Sequence, residues 1–253
     1  MNLSSITPRF LKRTQLATRF MEKTRNEKKV INGPFKGMKY EGNSICSTSD
    51  PKFLGTYEIE LATALLNWKG IHFKTIIDVG AAEGYYAVGL SLLFPLSHVV
   101  AFESTELGKT NIRQLAQHNK VSDRIEIQGH CDLKQLKYAI SNISPVLILM
   151  DIEGGERDIL VPKEIQALIN SHIIVELHDC FDPGVGELIK NRLSTSHYIE
   201  EIWSRERQYS DFTQPKNNLL RSFILPYLKK YASESRPERM RWFICTPKIN
   251  KTH

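Results

Sequence analysis

The sequence predicts an α/β protein built on a mostly parallel, doubly wound sheet of seven strands with helices on both faces. Three observations lead there. Over residues 75–177, short β-branched runs alternate with longer helical patterns, the signature of repeated βαβ units. Several of these runs end in acidic or small residues, at the carboxyl ends where open α/β sheets build their sites. The 253 residues, 41% hydrophobic and 25% charged, suffice for one sizeable core, and no Pro/Gly/Ser-rich linker interrupts the centre of the chain.

Taken in order, residues 1–50 read as a basic N-terminal extension made of an amphipathic helix and a short hairpin. Ile6, Phe10, Leu16 and Phe20 supply the apolar side of that helix. Docking on the core is its default role, with a partner or a weak membrane-surface contact as alternatives. Residues 51–253 read as the main domain. Tyr57, Leu61, Leu65 and Trp68 recur at helical spacing behind Thr56 as an N-cap, and Gly70 ends that segment. Strands are predicted over 75–79, 98–102, 124–127, 146–150 and 173–177, with helices over 83–94, 106–118, 133–140 and 156–170 between them. A helix near 186–193 and a strand over 197–203 follow. A helical insertion at about 204–238 then precedes a last strand over 241–246.

The net charge of +6 is unevenly spread. Residues 1–30 hold 8 Lys/Arg against 2 Asp/Glu, and the last 45 residues hold 9 against 3. Basic ends of this kind are more often solvated faces than nucleic-acid patches, so nucleic acid is the less favoured partner. Cys46, Cys131, Cys180 and Cys245 lie far apart, which excludes a dense disulfide framework or a C-x-x-C zinc site and predicts a reducing, cytoplasmic setting. The longest mainly apolar stretch, residues 87–94, is too short to span a bilayer, and no secretory signal pattern opens the sequence.

The most informative stretch is IIDVGAAEGYYAVGL, where a strand ends in Asp78, Val79 and Gly80 and turns through Ala81, Ala82, Glu83 and Gly84 into a helix. Small residues let a ligand approach the backbone amides there. The turn is G-x-x-x-G rather than the dinucleotide pattern G-x-G-x-x-G. Asp78 and Glu83 would repel a pyrophosphate, so a cationic ligand is favoured. With this loop the sequence resembles class I S-adenosylmethionine-dependent methyltransferases. The resemblance implies their Rossmann-like fold, with S-adenosyl-L-methionine held by Asp78, Gly80, Ala81, Ala82, Glu83, Gly84 and Tyr85. It also implies Glu103 and Ser104 at the ribose, Asp132 toward the adenine amine with His130 or Cys131 as alternatives, and Asp151 beside the loop.

The fourth and fifth strands, LILMDIEGGERDIL and IIVELHD, are similar to FkbM-type methyltransferases, in which Asp-x-Glu-Gly follows strand four. That narrower likeness covers residues 73–179 and implies a hydroxyl of a sugar, glycan or small metabolite as acceptor. Bases and free amides are usually methylated through a motif in which Pro and an aromatic follow the acidic or amide residue. Here Ile152 and Glu153 follow Asp151, so oxygen methylation is expected. An RNA methyltransferase and a non-catalytic cofactor-binding protein are the other readings.

Transfer to a hydroxyl needs a base. Asp151, Glu153, His178 and Asp179 all fall at carboxyl ends of neighbouring strands; His178 is favoured for its near-neutral pKa, with Asp151 next. Alternatively, Asp151 and Asp179 hold a magnesium ion that acidifies the hydroxyl. The insertion adds Arg205, Arg207, Arg221 and Arg236 with Tyr209, Phe212, Phe223 and Tyr227, a mix suited to an anionic or ring-shaped acceptor; a surface helix over residues 219–231 is the plainer alternative.

Overall fold

The run Thr75–Val79 forms β1 and is buried at every residue, as a β-branched strand at the centre of a doubly covered sheet should be. The computed structural model describes residues 9–248 apart from 46 and 237. The other strands are β2 (His98–Phe102), β3 (Ile125–Gln128), β4 (Val146–Met150), β5 (His172–Leu177), β6 (His197–Trp203) and β7 (Arg241–Pro247). Their order is β3-β2-β1-β4-β5-β7-β6, with β7 antiparallel to both neighbours and every other pairing parallel. This is the seven-stranded Rossmann-like methyltransferase sheet that the sequence predicts. Strand order reverses direction between β1 and β4, so the crossovers leave that pair on opposite sides and open a crevice at its carboxyl ends. Ile77, Val79, Ile148, Met150 and Val175 share a buried cluster with Leu136, Ile189 and Leu193, each side chain contributing about 1.5–3 kcal/mol by burial.

The helices are α1 (Arg9–Asn26), α2 (Ser49–Leu54), α3 (Ala62–Asn67), α4 (Tyr85–Leu93), α5 (Glu106–Asn119), α6 (Leu133–Ile140), α7 (Glu156–Ile159), α8 (Val185–Leu193) and α9 (Asn218–Leu228). Two expected helices are corrected. The one over residues 156–170 stops after α7 and resumes only as a 3-10 segment at Gln166–Asn170, because Pro162 removes an amide and blocks the preceding turn. The one expected from Thr56 begins as α3, because Glu58 adopts a left-handed φ of 43° that breaks the repeat. Thr56 is no N-cap; its hydroxyl reaches the carbonyl of Pro51.

The chain divides into two compact units, and the sheet belongs to residues 60–205 and 236–253. The other unit combines residues 1–59 with residues 206–235. Within it α1 packs along α9, and Ala17 and Met21 meet Ile224, Leu225, Leu228 and Ala232. The buried stripe of α1 therefore runs through Ala17, Met21 and Thr24, while Leu16 is 37% exposed; Ile6 and the side chain of Phe10 lie outside the described residues. Lys29 and Lys39 pair as an antiparallel bridge. Gly33 and Gly55 take left-handed φ where the chain crosses itself, and a Cβ on Gly55 would lie 1.9 Å from the Asn32 carbonyl oxygen. Among the residues expected to grip an acceptor, Arg207 forms a buried ion pair with Glu234, Phe212 is in this unit's core, and Arg221 lies over the Tyr209 ring. Cys131, Cys180 and Cys245 are free thiols, and Cys46 lies outside the described residues. Among the described residues no helix is long and apolar enough to cross a membrane.

Candidate active site

Asp78 lies one residue before the end of β1, 1% exposed, and neither carboxylate oxygen meets a hydrogen-bond partner. Desolvation, with the negative charges of Asp151, Glu103 and Glu83, pushes its pKa up to about 8 against a smaller opposing effect of the Ala87 amide. The side-chain charges acting most strongly on Asp78 are carboxylates. The glycines of the turn are required by geometry. Gly80 has φ 85°, and a Cβ there would lie 1.9 Å from the Asp151 carbonyl oxygen, so β1 and β4 are pinched together where the turn begins. Gly84, at φ 91°, is the N-cap of α4 and packs against Ile112. Between them Ala82 is also left-handed at φ 48°, and Glu83 and Tyr85 are buried.

Glu103 follows β2 and closes the other side of the turn. Its carboxylate accepts from the Ala82 amide at 2.9 Å and from the Thr105 amide and hydroxyl at 2.7 Å each. Thr105 in turn caps α5 by accepting from the Gly108 amide. Gly108 is in close contact: a Cβ there would meet Glu103 Cγ at 2.5 Å and the Ala82 carbonyl oxygen at 2.8 Å. Ser104 is exposed. Asp132 is exposed too, and its carboxylate caps α6 by accepting from the Lys134 and Gln135 amides.

A second group of side chains gathers where β4 and β5 end. His178 is 4% exposed, with Nδ1 2.8 Å from Glu156 Oε1 and Nε2 3.4 Å from Asp151 Oδ1. The Phe181 ring stacks on it with centroids 6.0 Å apart. Burial alone would lower the His178 pKa, but the Glu156 hydrogen bond and the charges of Asp151, Glu156 and Glu153 outweigh it, and the net shift is upward. Desolvation raises the pKa of Asp151, partly offset by His178 and Arg236, although 40% of that side chain remains open to solvent. Glu153 is exposed and left-handed at φ 53°, turning the chain toward α7.

The expected metal pair is not brought together. Asp179 turns to Arg241, which donates to it at 2.7 and 3.0 Å, and also accepts from the Gly186 amide. Instead Asp151, Glu176 and His178 each bring one donor atom within 4.8 Å of the others. Both Glu176 oxygens are already engaged, one by Arg236 and one by the Trp242 indole at 3.2 Å, so Arg236 supplies the counter-charge a cation would bring. Sequence reasoning missed Glu156 and Glu176. The signal for Glu176 was present as a carboxylate inside an otherwise apolar strand.

No protein-family model matches the chain, and no curated protein matches it by sequence. Similar solved structures include the O-methyltransferase TomG from Streptomyces achromogenes in complex with SAM, at 11% identity over 96% of this chain and 92% of that one, TM-score 0.47. A precorrin-6y C5,15-methyltransferase from Geobacter metallireducens is 11% identical over 74% of this chain and 87% of that one, TM-score 0.46. TrmN from Thermus thermophilus is 14% identical over 74% of this chain and 48% of that one, TM-score 0.46. At these identities and scores the likenesses carry no argument of their own; the fold rests on the strand order.

Proposed function

We propose that this protein is an S-adenosylmethionine-dependent methyltransferase that methylates a hydroxyl oxygen of a sugar, glycan or small metabolite. The observation that carries the reading is Asp78: a buried carboxylate under a glycine turn at the β1–β4 crevice, where the side-chain charges acting on it most strongly are other carboxylates. An isolated buried carboxylate is costly, and a cationic ligand removes the cost. The ammonium and sulfonium of S-adenosylmethionine suit that acidic turn, and Glu103 suits a ribose diol. Bound there, the cofactor would supply an electrophilic methyl group on its sulfonium for transfer to the acceptor oxygen, with the thioether as leaving group.

The chain's own part is to bind, orient and deprotonate. His178 takes the hydroxyl proton at Nε2, and Asp151, half-open to solvent beside it, orients the hydroxyl and steadies the imidazolium. The likeness of the Asp151–Gly154 stretch to FkbM-type enzymes supports an oxygen acceptor. Glu153 belongs to that motif and adds negative charge near His178.

Titration calorimetry with S-adenosylhomocysteine tests the reading. Wild type is expected to bind, and Glu103→Ala to bind about tenfold more weakly, the loss of one hydrogen bond to a charged group being worth about 1.5–3 kcal/mol. Absence of binding in both proteins sinks it. A nucleic-acid acceptor is the second reading, favoured by one observation: residues 1–59 and 206–235 carry 16 Lys/Arg against 8 Asp/Glu. Filter binding of single-stranded RNA at physiological salt discriminates, because phosphate contacts would make retention salt-dependent.

A further inference from the structure

Glu156 is 0% exposed, and of its two oxygens only Oε1 has a partner, the His178 ring nitrogen at 2.8 Å. A first-turn acidic residue ordinarily stays near solvent at the helix amides. Here α7 has four residues, and the side chain faces an imidazole that arrives from the end of β5, 22 positions later in the chain. Desolvating a carboxylate for one hydrogen bond is unfavourable unless that bond is charge-assisted. The bond also has a direction. With the carboxylate as acceptor, the proton on this side of the ring is the Nδ1 proton.

We infer that Glu156 is a positioning residue for the acceptor site: it holds His178 in the tautomer whose Nε2 is bare and turned toward Asp151. The inference rests on the methyltransferase reading for its purpose, though not for its geometry. In the neutral ring the Nε2 lone pair is the only basic position left. When a hydroxyl loses its proton there, the O–H bond breaks, the proton forms the Nε2–H bond, and the positive charge is shared with Glu156 on one side and Asp151 on the other. The charged groups around the ring are Asp151 after β4, Glu153 in the following turn, Glu156 on α7, and Glu176 on β5 with its partner Arg236, which precedes β7. Phe181 stacks on a face of the ring. Without the Glu156 charge, a ring in contact with Asp151 alone would favour the opposite tautomer and present an N–H to the acceptor.

The test needs no acceptor. Long-range nitrogen–proton spectra of the nitrogen-15-labelled full chain, with the His178 signals assigned by their loss in His178→Gln, report the tautomer and its titration directly. In the wild type, above the titration midpoint, the proton is expected on Nδ1. In Glu156→Gln the midpoint is expected to fall by about one pH unit or more, as loss of an adjacent opposite charge implies, and the tautomer preference to weaken or invert. Glu153→Gln, an exposed change nearby, moves the midpoint by less. A neutral wild-type ring carrying its proton on Nε2 overturns the inference, and so does a Glu156→Gln protein with wild-type midpoint and tautomer. Should Glu156→Gln fail to fold, judged by its thermal melt, the wild-type tautomer alone decides. S-adenosylhomocysteine binding is measured on the same samples. A protein that shows the Nδ1–H tautomer yet binds no cofactor sinks the methyltransferase reading and leaves the geometry standing; the reverse pair of results sinks the positioning role alone.

Discussion

Gly108→Ala sets two opposing effects against each other. Alanine in a helix is favoured over glycine by up to about 1 kcal/mol, and Gly108 is in the first turn of α5, where the gain is smaller. Against it stands a Cβ placed 2.5 Å from Glu103 Cγ, 2.6 Å from Cδ and 2.8 Å from the Ala82 carbonyl oxygen. The Glu103 side chain can swing away only by stretching its three hydrogen bonds, now 2.7 to 2.9 Å long. The Ala82 oxygen is backbone, in a residue already held at positive φ. Overpacking costs about 1–3 kcal/mol, and loss of one charged hydrogen bond adds about 1.5–3 kcal/mol. The steric side therefore wins. Differential scanning calorimetry is expected to show a melting temperature several degrees below wild type, at about 2–4 °C per kcal/mol for a chain of this size. S-adenosylhomocysteine affinity is expected to fall about tenfold as Glu103 is displaced. Gly129→Ala is the control, since a Cβ there meets nothing within 4 Å. If Gly108→Ala melts and binds like wild type, the claim that this helix locks Glu103 against the turn is wrong.

Two more expectations follow from buried charge. The folded pKa of Asp78, about 8, is above its unfolded value, so the neutral acid is the stable folded form, and the ligand-free protein loses stability as pH climbs from about 4 to 8. Asp78→Asn is expected to flatten that slope and raise the ligand-free melting temperature at pH 8 while weakening S-adenosylhomocysteine binding. Because binding a cation favours the ionised carboxylate, wild type should release protons on binding at pH 7, read from calorimetry in buffers of different ionisation enthalpy; zero release would contradict the assignment. In the smaller unit, Glu234→Ala removes one member of the buried Arg207–Glu234 ion pair, the two side chains being 7% and 6% exposed. Breaking a buried pair costs about 3–5 kcal/mol, so this unit should open at lower denaturant, visible as early loss of amide protection over residues 206–235; protection equal to wild type would count against it.

What could be read from the sequence divides along the range of the interactions. The strands β1, β2 and β4 were legible because a β-branched run bounded by small or acidic residues is a local pattern, and the structure gives them the expected bounds. The glycine turn after β1 was legible for the same reason: Asp78, Gly80 and Gly84 lie within seven positions and the constraints on the two glycines are backbone conformations. Pro162 was equally local and ends α7 early, yet helical spacing of apolar residues on both sides masked it. The group of side chains around His178 was only half legible. His178 and Asp151 stood out as polar residues at strand ends, but their surroundings are made by pairings that no local pattern encodes. The parallel register that sets Met150 opposite Val175 carries the residues after β4 and β5 to the same edge. Asp179, one residue beyond His178 in the turn that follows β5, meets Arg241, 62 positions away. Glu176 instead lies beside Asp151 and His178, so the carboxylate that joins the group is the one hidden inside the apolar strand rather than the more conspicuous Asp179. A magnesium pair read from strand-end acidity alone needed Asp151 and Asp179 together, whereas Asp179 is engaged by Arg241 and the Gly186 amide.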